Sequence, residues 1–277
     1  MSEAARSAHL IGPAELNEWL VRRPETVVLD VRHVMPADHA DQPAYLAGHL
    51  PGALFVDVDA DLAGASTGRN GRRPLPGAAE FEKTVRRWGI DTGTPVVVYG
   101  SARSPAPARA WWLLRWAGVE SVRLLDGGFE AWPGELASGE PDDVRPESDF
   151  VIRPGGLPAV EAVEVPSFAE RGLLLDARPA AKFTHPTDAG AGHIPGARSA
   201  PVGEFFDAAG YLLPDDQLRE RFAAVGVAAG AEPAAYCSTG VAAALEVFVL
   251  ALLGVRARLY VGSTSEWTAD PTRVLVR

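Results

Sequence analysis

The sequence predicts an α/β protein built as two tandem domains, each a central parallel sheet flanked by helices. Three observations carry that prediction. One order of motifs is written twice along the chain. Within each half, short β-branched runs alternate with helical patterns. The 277 residues, 47% of them apolar and 22% charged, suffice for two cores at roughly 100–200 residues per domain.

The repeat is read motif by motif. "VVLDVR" (27–32) returns as "LLLDAR" (173–178), and "AGHLPGALFV" (47–56) as "AGHIPGARSA" (191–200). "PVVVYG" (95–100) returns as "PAAYC" (233–237), and "LLDGGFEAW" (124–132) as "LYVGSTSEW" (259–267). The spacing narrows from Asp30 and Asp176 to Trp132 and Trp267, as shorter loops in the second copy would produce.

In the first half, "TVVLDV" (26–31) and "TPVVVYG" (94–100) read as buried strands, and "SVRLLDGG" (121–128) as a strand running into a turn. "AAEFEKTVRRWGI" (78–90) and "ARAWWLLRWAGV" (108–119) read as amphipathic helices, with Trp111, Trp112 and Trp116 as core or domain-packing residues. The second half repeats the pattern with strands "GLLLDAR" (172–178), "EPAAYC" (232–237) and "ARLYVG" (257–262). Its helices are "DDQLRERFAAVGV" (215–227) and "VAAALEVFVLALLGV" (241–255). Strands alternating with helices imply parallel sheets covered on both faces, with ligands held at the carboxyl ends of the strands. The proline-rich, mixed-charge stretch 133–166 reads as a connection. The expected division is an N-terminal domain over 1–138, a linker over 139–160 and a C-terminal domain over 161–277.

Totals narrow the function. The net charge of −10 argues against a nucleic-acid partner. The most apolar run, "VFVLALLGV" (247–255), is too short to span a bilayer, and the first twenty residues lack a signal-peptide pattern. No membrane association and a cytoplasmic location are therefore expected. A single cysteine excludes an intramolecular disulfide, and no Cys/His group has zinc spacing, so no metal is expected.

That cysteine, Cys237, ends a predicted strand and is followed by Ser238, Thr239, Gly240 and Val241 at the mouth of a helix. Backbone N–H groups over 238–242 and the helix N-terminus can form an anion cradle there, and glycine lets the backbone curl. A cysteine so placed favours its thiolate. The other reading is a small hydrophobe at a strand end, since free cysteines are commonly buried. A phosphate-binding Cys-x5-Arg loop is ruled out because position 243 is alanine. With no second cysteine, sulfur taken up by Cys237 must leave to an external acceptor.

"LLLDAR", "AGHIPGA", "YCSTGVAAA" and "GSTSEW" resemble the tandem-domain rhodanese family, the thiosulfate and 3-mercaptopyruvate sulfurtransferases. The likeness runs through nearly the whole chain, in order and twice. It implies a rhodanese-like fold in each half, a non-catalytic first domain in which Gly100 stands where Cys237 stands in the second, and no cofactor. It also implies sulfur transfer through a Cys237 persulfide, from thiosulfate or 3-mercaptopyruvate to cyanide or a thiol such as thioredoxin or a small thiol. Carried over residue by residue, Arg178 anchors the anionic donor, Thr239 assists with its hydroxyl, and His49 assists from the first domain. His193 and Asp176 orient their turns. The loop Cys-Ser-Thr-Gly-Val-Ala-Ala stands nearer the mercaptopyruvate pattern than the thiosulfate one, yet carries no cation of its own. Arg32, His33 and Arg103 are expected to supply that charge from the first domain. A two-domain monomer is expected. The alternative from another class is a rhodanese-fold sulfur carrier or binding protein with little turnover of small donors.

Overall fold

The computed structural model describes residues 2–34, 38–141, 145–184 and 192–276. Parts of the expected linker (142–144) and of the segment between the second Asp-x-Arg and its histidine motif (185–191) lie outside them.

The first half opens with helix α1 (Ser2–His9), strand β1 (Leu10–Ile11) and α2 (Pro13–Arg22), then β2 (Val27–Asp30). A small hairpin, β3 (His33–Val34) and β4 (His39–Ala40), leads to α3 (Gln42–Ala47) and β5 (Ala53–Phe55). Helix α4 (Ala78–Arg87), β6 (Val96–Tyr99), α5 (Ala106–Ala117) and β7 (Val122–Leu125) complete it. The second half runs α6 (Val165–Glu170), β8 (Leu174–Asp176), α7 (Ala180–Thr184), β9 (Arg198–Ser199) and α8 (Asp215–Ala224). It closes with β10 (Ala234–Tyr236), α9 (Ala242–Leu252), β11 (Arg258–Leu259) and α10 (Ser263–Trp267).

Both main sheets are parallel, as the continuous apolar strands require. The first has the order β1-β7-β6-β2-β5 and the second β11-β10-β8-β9, so β7, β6, β2 and β5 reappear in the same sequence. Even β1 has a counterpart. Ala159 bridges Leu259 in parallel, with Val160 N donating to Leu259 O, so the end of the expected linker forms the edge of the second sheet.

Helices α5 and α9, which follow the two equivalent strands β6 and β10, pack against each other between the sheets. Trp111 meets Phe248 edge-to-face at 5.0 Å, and one apolar core runs through both halves. This explains why α9 is apolar almost all round: nine of its eleven residues are buried, against β10 and β11 on one side and α5 on the other. Trp111 and Trp112 are fully buried and Trp116 packs on the same core, as their spacing predicts.

The two halves also share a polar clip. In each, the Asp-x-Arg aspartate ends a strand and takes a bidentate bond from its arginine. The arginine also donates to a glycine carbonyl, Gly48 in one half and Gly192 in the other. Tyr99 donates to Asp30 while its hydroxyl accepts from Leu50 N; Tyr236 sits against Asp176 and accepts from Ile194 N. The histidines of the repeat stack on Tyr45 and Phe183 and bond carbonyls through Nδ1, which fixes the turns that deliver β5 and β9.

Candidate active site

Where the halves differ is the end of the third aligned strand. A Cβ built on Gly100 would lie 2.6 Å from Val31 O and 2.9 Å from Pro107, so no side chain fits there. Cys237 has room. Its N–H donates to Ser263 Oγ at 3.0 Å, and Gly240 N–H donates to its Sγ at 3.1 Å. Gly240 takes φ +77°, a left-handed conformation that lets the chain turn back over the sulfur before α9 begins. Ser263 is buried, sits at the start of α10 with φ +53°, and its hydroxyl donates to Tyr260 O at 3.0 Å. Thr264 N and Ser265 N donate to the carbonyls of Cys237 and Ser238, so α10 holds the loop from behind. One N–H directed at the sulfur is thus in place from the cradle expected over 238–242.

Cys237 is 2% exposed, and it belongs to the apolar core as well as to a cavity of about 160 Å³. That size suits a small anion. The wall from the second domain is Arg178, Pro179, Cys237, Ser238, Thr239, Val241 and Ala242. Arg178 is clipped to Asp176 through Nε and Nη2, and its Nη1 bonds no described residue. Burial works against the Arg178 charge, but the bonds to Asp176 prevail and hold its pKa above the ordinary value. Thr239 is buried at the wall and Ser238 exposed at the rim.

The opposite wall comes from the first domain: His33, Asp38, Arg72, Arg73, Ser104, Pro105 and Ala106. Arg73 is 6% exposed and bonds Asp59 at 2.6 Å and Asp38 at 2.7 Å. Burial opposes its charge, yet the two carboxylates raise its pKa; those same bonds lower Asp59 and, against burial and with help from His33, Asp38.

The predicted residues are therefore brought together only in part. Cys237, Ser238, Thr239, Val241 and Arg178 meet at one cavity, with Gly240 in the loop above. His33 joins them from the first domain. The other first-domain residues do not. His49 is buried in its own turn, bonds Tyr45 O, and lines a separate surface cavity with Pro24, Pro51 and Arg145; it does not reach the Cys237 cavity. Arg32 is the first-half copy of Arg178, consumed by Asp30, Ala44 O and Gly48 O and lying over the Phe129 ring at 4.1 Å. Arg103, at φ +61°, turns away to the carbonyls of Asp207 and Ala208. The cations at the cavity are Arg72 and Arg73 instead. The paired arginines after a glycine-rich turn in "STGRNGRRPLP" (66–76) were the available signal, and pattern reading passed over them because the segment lies outside the duplicated motifs. Arg109 and Glu246, both fully buried beside this site, were likewise unmarked.

Comparison with known proteins identifies both halves. The rhodanese-like domain family model matches twice, over residues 12–135 and 161–270. A Mycobacterium tuberculosis protein, named provisionally as a thiosulfate sulfurtransferase, is 39% identical over 99% of this chain and 98% of its own. The 3-mercaptopyruvate sulfurtransferase of Escherichia coli K12 is 33% identical over 91% of this chain and 93% of its own. Among solved structures, that of SseA from Escherichia coli, described as one of the 3-mercaptopyruvate sulfotransferases, matches with a TM-score of 0.80. It is 31% identical and covers 92% of this chain and 98% of that one. Among the described residues no helix is long and apolar enough to cross a membrane.

Proposed function

The chain belongs to the rhodanese-like family, and from that premise we propose that it transfers a sulfane sulfur from thiosulfate or 3-mercaptopyruvate through a persulfide on Cys237. It is an enzyme of the sulfurtransferase type. The observation that carries the finer reading is the sole cysteine facing a small cavity with Arg178 and Arg73, its sulfur capped by the Gly240 N–H.

In the first half-reaction the Cys237 thiolate attacks the outer sulfur of the donor and an S–S bond forms. The bond between that sulfur and the rest of the donor breaks. Its electron pair leaves on sulfite, or on the enolate carbon of pyruvate, which then takes a proton. Arg178 and Arg73 hold the anionic end of the donor against Ser238 and Val241, a task suited to fixed guanidinium groups. Thr239 supplies its hydroxyl to the leaving group. Gly240 N–H stabilises sulfur charge before attack and after release. In the second half-reaction an acceptor thiolate or cyanide attacks the outer persulfide sulfur and restores the Cys237 thiolate. We assign this work to a cytoplasmic monomer whose catalytic unit is 161–277 and whose first domain, 1–138, completes the cavity wall.

The test is incubation with each donor followed by intact-mass measurement. The wild type gains one sulfur and Cys237→Ser gains none; addition of a small thiol or cyanide then removes the sulfur with repeated turnover. No gain in the wild type, or the same gain in Cys237→Ser, rejects the persulfide. Loading without turnover would make the protein a sulfur carrier instead.

A further inference from the structure

Four buried or half-buried arginines bear on the two strand ends, and three are balanced by carboxylates: Arg32 by Asp30, Arg178 by Asp176, and Arg73 by Asp59 and Asp38. Arg109 is not. It lies on α5 of the first domain, fully buried, and among the described residues it makes no ion pair. Nε donates to Leu62 O at 3.4 Å, and Nη2 donates to Leu62 O, Arg73 O and Pro74 O at 3.2–3.4 Å. Nη1 is buried with no hydrogen-bond partner among the described residues. It is directed at the catalytic loop: a Cβ on Gly240 would stand 3.2 Å from it.

The charged and titratable groups that bear on this guanidinium are Arg73, which is repulsive, and Cys237. Burial lowers Arg109 to about 10 while Cys237 opposes the shift, so the side chain stays cationic at neutral pH. Cys237 in turn faces Arg109, Arg178 and Glu246, with Ser263 Oγ 3.9 Å from its sulfur and His33, Asp38, Arg72 and Arg73 around the cavity. Glu246 is fully buried with neither oxygen partnered among the described residues, and burial pushes its carboxyl well above the ordinary value, towards the neutral form. A buried cation without a counter-charge is costly, and here the group able to supply one is the cysteine sulfur.

We propose that Arg109 is a positioning residue for the reaction: from the first domain its unpartnered Nη1 seats the Gly240 turn over the sulfur and places a positive charge beside Cys237. This rests on the reading of Cys237 as the nucleophile. The same guanidinium ties down the carbonyls of 62–74, the segment that carries Arg72 and Arg73 to the cavity. That segment is fastened to the second domain by Arg72 N donating to Ser265 Oγ at 3.0 Å. Arg109 thus adds to what Arg73 does at the cavity wall without itself touching the donor, from the helix that follows the first domain's blocked strand end.

The experiment uses the full chain with Arg109→Met and Arg109→Lys and follows alkylation of Cys237 by iodoacetamide across pH. As the sole cysteine, it is the only thiol labelled. The expected result is that Arg109→Met slows alkylation about tenfold at neutral pH, the worth of one charge beside the sulfur. Arg109→Lys, which keeps the charge, recovers part of that rate. An unchanged rate in a cooperatively melting Arg109→Met protein overturns the proposal, and an Arg109→Lys protein as slow as Arg109→Met overturns it equally. A tenfold loss in Arg109→Met with rescue in Arg109→Lys, in a protein that never loads sulfur, rejects the transfer reading and supports the role of Arg109.

Discussion

Replacing Gly240 by alanine tests the loop geometry most directly. Its φ of +77° costs a non-glycine residue about 1–2 kcal/mol. The added Cβ would also stand 2.5 Å from Val261 O, a backbone atom that no rotamer change can move aside. Relief requires the loop or the turn before α10 to shift by roughly 1 Å, since ordinary contact begins near 3.4 Å. That shift breaks the 3.1 Å bond from Gly240 N–H to Cys237 Sγ. A hydrogen bond to a charged group contributes about 1.5–3 kcal/mol, and each 1.4 kcal/mol is a factor of ten. Single-turnover loading of Cys237, followed by intact mass after rapid quench at saturating donor, is therefore expected to slow by about 10- to 100-fold. Melting measurements run alongside should show a loss of about 1–3 kcal/mol. A Gly240→Ala protein that loads within twofold of the wild-type rate refutes the assignment of this N–H to the reacting sulfur.

Two further outcomes follow from charges at the site. Glu246 is pushed well above 4.5 by burial, so the folded state keeps a proton the unfolded chain releases, and stability falls as pH rises from about 4.5 toward the folded value. Glu246→Gln removes that dependence. Its melting temperature relative to wild type should climb as pH rises above about 4.5, by the equivalent of at most about 1.4 kcal/mol per pH unit, and a pH-independent difference contradicts the raised carboxyl. Arg73→Ala is expected to raise the donor KM about tenfold, the worth of one charge-assisted contact, while Arg103→Ala leaves it within twofold because that side chain spends its bonds on Asp207 O and Ala208 O. Steady-state kinetics with both donors check the pair, and a KM effect confined to Arg103 reverses the assignment of the cavity wall.

The architecture was legible because it is written in short-range patterns. Apolar runs at strand length, amphipathic helices and a repeated motif order each depend on neighbouring residues, and the duplication doubled every signal. Cys237 and its loop were legible for the same reason. The first-domain wall was not. Arg32 and Arg103 stand beside duplicated motifs and looked available, but their charges are spent on Asp30 and on distant carbonyls. His49 carries a familiar motif, yet a histidine bonded to Tyr45 O and stacked on Tyr45 shapes a turn. Arg73 lines the cavity because 62–74 folds onto the second domain, a contact between segments over 150 residues apart, and Arg109 meets the Gly240 turn because α5 packs on α9; no local pattern encodes either.

The shared clip also separates what holds the fold from what performs the chemistry. Asp30–Arg32–Tyr99 and Asp176–Arg178–Tyr236 make corresponding contacts, though only one half carries a cysteine, so the clip itself is a device for ending two strands and seating a turn. The two arginines differ in surroundings: Arg178 lines the Cys237 cavity, whereas the Arg32 guanidinium is covered by Phe129. The asymmetry extends to the loops: Val31 O and Pro107 close the space at Gly100, while α10 leaves space at Cys237 and fixes its backbone through Ser263. With its own strand end blocked, the first half meets the second through α5. Arg109 on that helix places its unpartnered Nη1 against the turn of a loop that has no cation of its own, so the first half lends charge to the strand end it lacks.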